Sequence, residues 1–448
     1  MLKSLAFRSR MPLRSLVVVG MVGFLAGCGG GGGGGGSEPA PAPQKPALAL
    51  SWQPVAFTTP EVTDPGQPPR SAVVGDFGDV AATPGGGVHL AWREQKADWP
   101  NGIPYVSRSH DAGATWQTLA VDRASGEFAF MTTLASGRLV AGSTVSLPQQ
   151  PWRTPRIWWS DDEGVTWSFQ DVQSDIPAPD ALSGTLSHEE IPVRMVEKNG
   201  KVVVWVRSVT TAIPGGNSPP PSVKNRLYYW EAGSATLTRL PIALPRFPGP
   251  QPFPAEDYYE IEAIAGDPNG FLYIAIDGDV VRTDNPMLWS LLPQPRSDAN
   301  LTALTVLADG TLVAGLDNYA NLYFYKHGSG WSQSLLPKDQ PDLFDSNAAL
   351  TRPFLVKQIL ELHSGALLAS TWTYVYASCD RGASWERIEP GPGGYVYRPI
   401  RMAQGPDGTV WGSFYTLESD PVGTGGFQGL LKIQPPAGVA PRDFVKCP

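Results

Sequence analysis

Short apolar runs that follow glycine turns are the dominant pattern of the chain after residue 46. In each copy an extended segment leads into a tight turn, and a run such as VHLAW or KVVVW follows the glycine. The seven copies follow Gly87, Gly137, Gly200, Gly270, Gly310, Gly365 and Gly408. Two extended segments joined by a tight turn are typical of a β-hairpin, and no long stretch with a helical period accompanies them. The pattern predicts an all-β protein.

A sharper repeat, S-x-D-x-G-x-[ST]-W, occurs three times. Its defining residues are Ser109, Asp111, Gly113 and Trp116, then Ser160, Asp162, Gly164 and Trp167, then Ser378, Asp380, Gly382 and Trp385. A carboxylate that accepts backbone N–H bonds, beside a glycine with positive φ, is typical of a tight turn. The repeat resembles the Asp-box, or BNR, repeat of sialidases and related β-propellers. That resemblance implies that these residues are structural and lie away from any active site.

Most copies of the hairpin continue into a third strand and a closing strand. The six closing strands begin at Trp116, Trp167, Leu237, Trp289, Trp331 and Trp385. Residues 51–57 resemble the missing seventh, so we expect them to pair beside residues 429–434 and close the ring. The prediction is a β-propeller of seven four-stranded blades whose last blade is closed by the N-terminal strand, with six or eight blades as alternatives.

The first residues have the order of a secretory signal. The basic residues Lys3, Arg8, Arg10 and Arg14 come first, and an apolar run at 16–24, too short to span a bilayer stably, follows. The next residues, Leu25-Ala26-Gly27-Cys28, resemble the lipobox of bacterial lipoproteins. The resemblance implies that Cys28 is acylated and anchors the chain to a membrane, and that Gly29 directs it to the outer membrane. An ordinary signal peptide with a chance cysteine is the alternative.

Three segments follow from these patterns: a signal peptide at 1–27, a lipidated cysteine with a Gly/Pro-rich linker at 28–46, and a propeller domain at 47–448. The net charge is −8, and removing the basic leader makes it more negative, so nucleic acid is a poor partner. Beyond Cys28 the cysteines are Cys379 and Cys447. An oxidising compartment permits one disulfide between them, and two unpaired thiols are the alternative.

The long segments between strands all fall on one side of the predicted blades, opposite the glycine turns. They are residues 58–75, 174–188, 210–224, 241–257, 337–353 and 417–426. Long loops on one face of a rigid scaffold usually carry the binding site. We therefore expect ligands to bind on this face.

The innermost strands begin on the same face, so their first residues should line the mouth of the central channel. Counting back eight or ten residues from each glycine turn selects Asp79, Glu127, Glu190, Glu260 and Glu262, with Lys357 and Arg398 opposite. Tyr397, beside Arg398, is a further candidate for this mouth. Residues two apart share a strand face, so these side chains should lie together at the mouth. Carboxylates outnumber basic residues among them, which predicts a net acidic ring. A slip of one residue in any blade would move its side chain to the other face.

Sialidases bind the substrate carboxylate with three arginines, and this chain departs from that pattern. Where the first arginine stands in that family, this chain reads Asp76-Phe77-Gly78-Asp79. Arg194 and Arg401 fall on a different strand phase from Arg398. These departures argue against sialidase activity.

The combined pattern favours a cell-envelope lipoprotein whose propeller binds a glycan or another envelope protein without catalysis and without a cofactor. The alternative is a sialidase-like glycoside hydrolase that uses mouth carboxylates, Glu260 with Glu127 or Glu190. The clustered oxygens of such a ring would also suit a calcium ion. A third hypothesis is an assembly factor, since similar propellers occur among photosystem II assembly factors. Fold-level resemblance does not decide between them.

Overall fold

The computed structural model describes a large part of the chain after residue 49 and assigns only strands, turns and bends to it. The described residues are 50, 52–57, 61–62, 68, 70–72, 74–94, 104–120, 125–146, 152–176, 186–212, 222–242, 260–267, 270–276, 278–285, 288–295, 300–316, 321–337, 355–371, 374–388, 397–416, 428–434 and 438–440. Within these ranges no helix is long and apolar enough to cross a membrane. The predicted signal and linker, residues 1–46, lie outside them and stay predictions.

Three short strands open the described chain, and four-stranded antiparallel sets follow. The opening strands are β1 (Gln53–Pro54), β2 (Glu61–Val62) and β3 (Arg70–Ser71), of which β2 and β3 pair with each other. The first set is β4 (Val74–Ala82), β5 (Val88–Glu94), β6 (Pro104–Ser109) and β7 (Gln117–Ala120). The second is β8 (Ser125–Thr133), β9 (Leu139–Ser146), β10 (Arg153–Ser160) and β11 (Ser168–Asp171). The third is β12 (Leu186–Lys198), β13 (Lys201–Ala212), β14 (Ser222–Trp230) and β15 (Thr238–Leu240).

The remaining strands repeat this arrangement. The fourth set is β16 (Ile261–Gly266), β17 (Leu272–Ile276), β18 (Asp279–Asn285) and β19 (Leu288–Leu291). The fifth is β20 (Leu301–Val306), β21 (Leu312–Leu316), β22 (Asn321–Lys326) and β23 (Gly330–Leu335). The sixth is β24 (Gln358–Glu361), β25 (Leu367–Ser370), β26 (Val375–Ser378) and β27 (Glu386–Arg387). The last contains β28 (Tyr397–Gln404), β29 (Val410–Thr416) and β30 (Gln428–Ile433). One parallel pair, Arg153 with Glu189, joins the second and third sets into an eight-stranded sheet.

The N-terminal strand completes the last set, as the sequence predicted. Gln53 pairs with Lys432 and Pro54 with Leu431, which gives the order β1-β30-β29-β28. Beside this strand the buried Trp52 packs edge-on against Phe414 of β29, with ring centroids 4.8 Å apart. The two ends of the domain therefore meet in one sheet.

The innermost strands form a closed ring. Each of β4, β8, β12, β16, β20 and β24 contacts the next innermost strand, and β28 contacts β4. Sheets arranged around a central axis in this way form a β-propeller, so the predicted fold class, all-β and propeller, is confirmed.

The second strand of each set is buried on both faces, because a neighbouring sheet packs on either side. Every residue of β5, β17 and β21 is buried. This explains why these strands read as continuous apolar runs rather than as alternating ones. Two buried tryptophans in these layers have hydrogen-bonded N–H groups: Trp92 Nε1 donates to Ser107 Oγ at 2.8 Å, and Trp158 Nε1 donates to Ser143 Oγ at 2.9 Å.

The repeats at 109–116, 160–167 and 378–385, here called the acidic turns, share one geometry. In the first, Ser109 Oγ donates to Asp111 Oδ1 at 2.7 Å, and the Thr115 N–H donates to the same oxygen at 2.9 Å. The Thr115 and Ser109 hydrogen bonds lower the pKa of Asp111 to about 2. The same bonds recur around Asp162 and Asp380. In all three repeats the carboxylate holds the turn.

Each acidic turn also carries a glycine that contacts the preceding blade. The φ angles are +82° at Gly113, +75° at Gly164 and +85° at Gly382. A Cβ atom at these positions would lie within 3 Å of the side chains of Trp411, His89 and Phe324, respectively. Glycine is therefore required for two reasons: the backbone is left-handed, and a side chain of the preceding blade leaves no space for a Cβ atom.

Candidate ligand site in the central channel

A β-bulge interrupts most of the innermost strands near their beginning. Register shifts occur within Phe77–Val80 of β4, Pro192–Arg194 of β12, Ile261–Ala263 of β16 and Pro399–Arg401 of β28. A bulge adds one residue to a strand and so reverses the face on which the following side chains lie. The channel lining therefore differs from the strict alternation assumed in the sequence analysis.

Residues of five innermost strands line a cavity of about 220 Å³ in the channel. Its charged lining residues are Asp79 of β4, Arg194 of β12 and Arg401 of β28. Gln358 of β24 also lines it. The Met402 N–H donates to Gln358 Oε1 at 2.7 Å, and Gln358 Nε2 donates to the Met402 carbonyl at 2.8 Å. In its described part the cavity holds two guanidinium groups and one carboxylate.

Asp79 is buried and held at both oxygens. The Met131 N–H of the next blade donates to its Oδ2 at 2.9 Å, and Arg401 Nε lies 3.0 Å from its Oδ1. The aspartate therefore joins the first, second and last blades. Among the described lining residues it is the one member of the predicted acidic ring.

Arg194 faces the same cavity, and its charge is only partly balanced. Burial and the nearby Arg401 together lower its pKa to about 10, although Asp79 opposes both effects. The side chain stays protonated at neutral pH. A guanidinium near a second cation, where the one described carboxylate is already paired with that cation, is favourable for an anion.

The sequence analysis named Arg194 and Arg401 but placed them on a different strand phase from Arg398. In the structure the two bulges, Pro192–Arg194 and Pro399–Arg401, shift both arginines onto the channel face. Both stand in a Pro-x-Arg segment. Proline cannot donate to a ladder and inside sheets is confined to edges and bulges. The prolines were therefore the sequence signal that would have predicted this placement.

Two of the predicted mouth carboxylates stabilise the blades instead of lining the cavity. Glu262 Oε2 accepts the Leu301 N–H of the next innermost strand at 2.9 Å. Glu190 is buried, accepts the Ser174 hydroxyl at 2.9 Å, and lies 3.7 Å from His188 Nε2. These contacts assign both carboxylates to packing between or within blades.

Of the other predicted mouth residues, Glu260 and Lys357 have described side chains, and neither is among the described residues that line the cavity. Glu260 is exposed just before β16, and the half-buried Lys357 lies just before β24. Tyr397 and Arg398 lie in β28 and Glu127 in β8, but their side chains lie outside the described part of the structure. The hydrolase pairs of Glu260 with Glu127 or Glu190 stay predictions.

Most residues of the six predicted long segments also lie outside the described ranges. Where they are described, some extend strands: residues 186–188 belong to β12, 210–212 to β13 and 222–224 to β14. Cys379 follows β26 and is disulfide-bonded. Its predicted partner Cys447, like the predicted lipid attachment residue Cys28, lies outside the described residues.

No group of three or more His, Cys, Asp or Glu residues among the described side chains could hold a metal ion. The calcium ion that the acidic ring suggests stays a prediction.

No protein-family model matches the chain, and no curated protein matches it. Solved structures with similar backbones include a catalytically inactive virginiamycin B lyase from Staphylococcus aureus with quinupristin. It is 10% identical with a TM-score of 0.48, over 84% of this chain and 98% of that one. YCF48 bound to D1 peptide is 13% identical with a TM-score of 0.48, over 89% and 100%. A Penicillium chrysogenum α-L-arabinanase complexed with arabinobiose is 11% identical with a TM-score of 0.42, over 87% and 99%. At these values the likenesses carry no argument about activity.

Proposed function

We propose that this protein is a cell-envelope lipoprotein whose propeller binds a glycan or an envelope protein without catalysing a reaction. The observation that carries the proposal is the composition of the channel. Its described charged lining is one carboxylate, already paired, and two arginines. Such a lining suits the binding of a ligand rather than acid–base chemistry.

A glycoside hydrolase needs two carboxylates on either side of the scissile bond, about 5 to 9.5 Å apart. Among the described cavity residues Asp79 is the single carboxylate, and its contacts with Met131 and Arg401 occupy both oxygens. Glu190 and Glu262 are engaged elsewhere. These contacts support binding over hydrolysis.

The proposal includes the anchor and the repeat family. Acylation of Cys28 would place the propeller on the outer membrane, at the end of the glycine and proline linker. The hydrogen bonds of the acidic turns support their assignment as Asp-boxes, with a structural role. Metabolic labelling with an alkyne fatty acid should label the wild-type chain and not Cys28→Ser. Equal labelling of the two would contradict the anchor.

Binding is tested with the full chain purified in detergent, on a glycan array and in pull-downs from envelope extracts. Binding that falls in Arg401→Gln and persists in Arg138→Gln would support recognition at the channel. Arg138 is the matched control because it also forms an ion pair, with Asp161, but belongs to a different cavity. An empty array together with empty pull-downs would contradict the proposed function.

A further inference from the structure

We propose that Asp79 is an internal counter-ion that occupies Arg401, so that the channel binds one carboxylate group of a small acid at Arg194. This inference rests on the proposed binding function and names the chemistry of the ligand. Asp79 then sets the specificity of the channel, because its negative charge determines how much positive charge a ligand encounters there.

Asp79 has the position and the rigidity that this role needs. It is buried, with 8% of its surface exposed, and a backbone N–H from the neighbouring blade holds one oxygen. The other oxygen lies 3.0 Å from Arg401 Nε. An external carboxylate would have to displace this intramolecular one to reach the same nitrogen of Arg401.

No described carboxylate pairs with Arg194 in the same way. Its guanidinium forms no hydrogen bond or ion pair with another described residue, although it lies close enough to Asp79 and Arg401 for both charges to shift its pKa. Two guanidinium groups and one carboxylate leave an excess of one positive charge in this part of the channel. A guanidinium in a cavity whose described residues balance its charge only in part favours a monoanion that supplies the remaining negative charge.

The shape of the site narrows the ligand. A cavity of about 220 Å³ suits one ring-sized acid rather than a folded partner. Arginine binds carboxylates in a planar, bidentate geometry. Met131 and Leu360 line the same cavity and offer apolar contacts to the carbons of a ring. The ligand class that meets these conditions is a hexuronate, alone or as the end residue of an acidic glycan.

Calorimetric titration of the full chain in detergent with glucuronate tests the inference, with glucose as the neutral probe of the same size. We expect the wild type to bind glucuronate and not glucose. Asp79→Asn should bind glucuronate at least tenfold more tightly, because it frees Arg401 for the ligand. Arg194→Gln should lose binding, and Arg138→Gln, whose arginine pairs with Asp161 outside this cavity, should match the wild type.

Unchanged or weaker affinity in Asp79→Asn, with a cooperative melting curve, would overturn the inference. If Asp79→Asn does not fold, Arg194→Gln decides, since its Asp79–Arg401 pair is intact. Equal binding by wild type and Arg194→Gln would then overturn it. The absence of glucuronate binding in the wild type would also overturn it. The proposed function is judged separately, by the array and the pull-downs.

Discussion

Gly164 of the second acidic turn lies directly against the imidazole ring of His89 in the preceding blade. A Cβ atom at Gly164 would be 2.8 Å from His89 Cε1, and the φ angle there is +75°. His89 is fully buried and cannot move aside at little cost. The contact explains why this turn needs glycine for packing as well as for its backbone.

Gly164→Ala is therefore expected to lower the free energy of unfolding by about 2–4 kcal/mol, from backbone strain and overpacking together. Chemical denaturation measures the change. Gly233→Ala is the matched control, because its φ is +84° but nothing lies within 4 Å of the added carbon. Equal losses in the two variants would mean that the contact with His89 contributes nothing.

His89 should make stability fall in mildly acidic solution. Burial, His110 and Arg108 lower its pKa from the ordinary histidine value of 6.5 to about 3, so the folded state favours the neutral ring. This contribution is complete above pH 6.5 and is lost as the pH falls toward 3, by about 2 kcal/mol at pH 5. Denaturation curves at pH 7 and pH 5 should differ less in His89→Gln than in the wild type.

The exposed His363 provides the control for this pH dependence. His363→Gln should retain the wild-type difference between the two pH values. A wild-type difference that survives unchanged in His89→Gln would show that other groups cause it.

Trp52 should be essential to the closure of the ring. Its side chain is 3% exposed and packs against Phe414, so Trp52→Ala should cost about 3–5 kcal/mol of unfolding free energy. Leu335→Ala, at a residue that is 64% exposed in an outer strand, should change it by less than about 0.5 kcal/mol. Similar stabilities for the two variants would argue against closure through the N-terminal strand.

The disulfide at Cys379 is predicted to join Cys447. Mass spectrometry of a digest prepared without reductant should find one linked peptide that contains both cysteines, and reduction should separate it. A link from Cys379 to any other cysteine would contradict the pairing.

The strand pattern predicted the fold because apolar strands and glycine turns are each determined by residues that are close together in the sequence. Closure by Trp52 was also visible, since its segment resembles the closing strands that begin at Trp116 and Trp385. The channel was harder to predict, because a bulge changes which face a side chain occupies without changing composition. The sequence predicted Asp79 at the channel, and Asp79 lines the cavity. It did not predict that Glu262 accepts a hydrogen bond from the neighbouring blade, or that Arg194 and Arg401 line the cavity. The Pro-x-Arg segments were the available clue to the last two.

Hydrolysis of a panel of chromogenic glycosides, including sialosides, by the full chain in detergent, with and without calcium, distinguishes binding from catalysis. We expect no release of the chromophore from any substrate, because Asp79, Glu190 and Glu262 are engaged in structural contacts. Turnover by the wild type that disappears in Glu260→Gln would establish an enzyme and contradict the account.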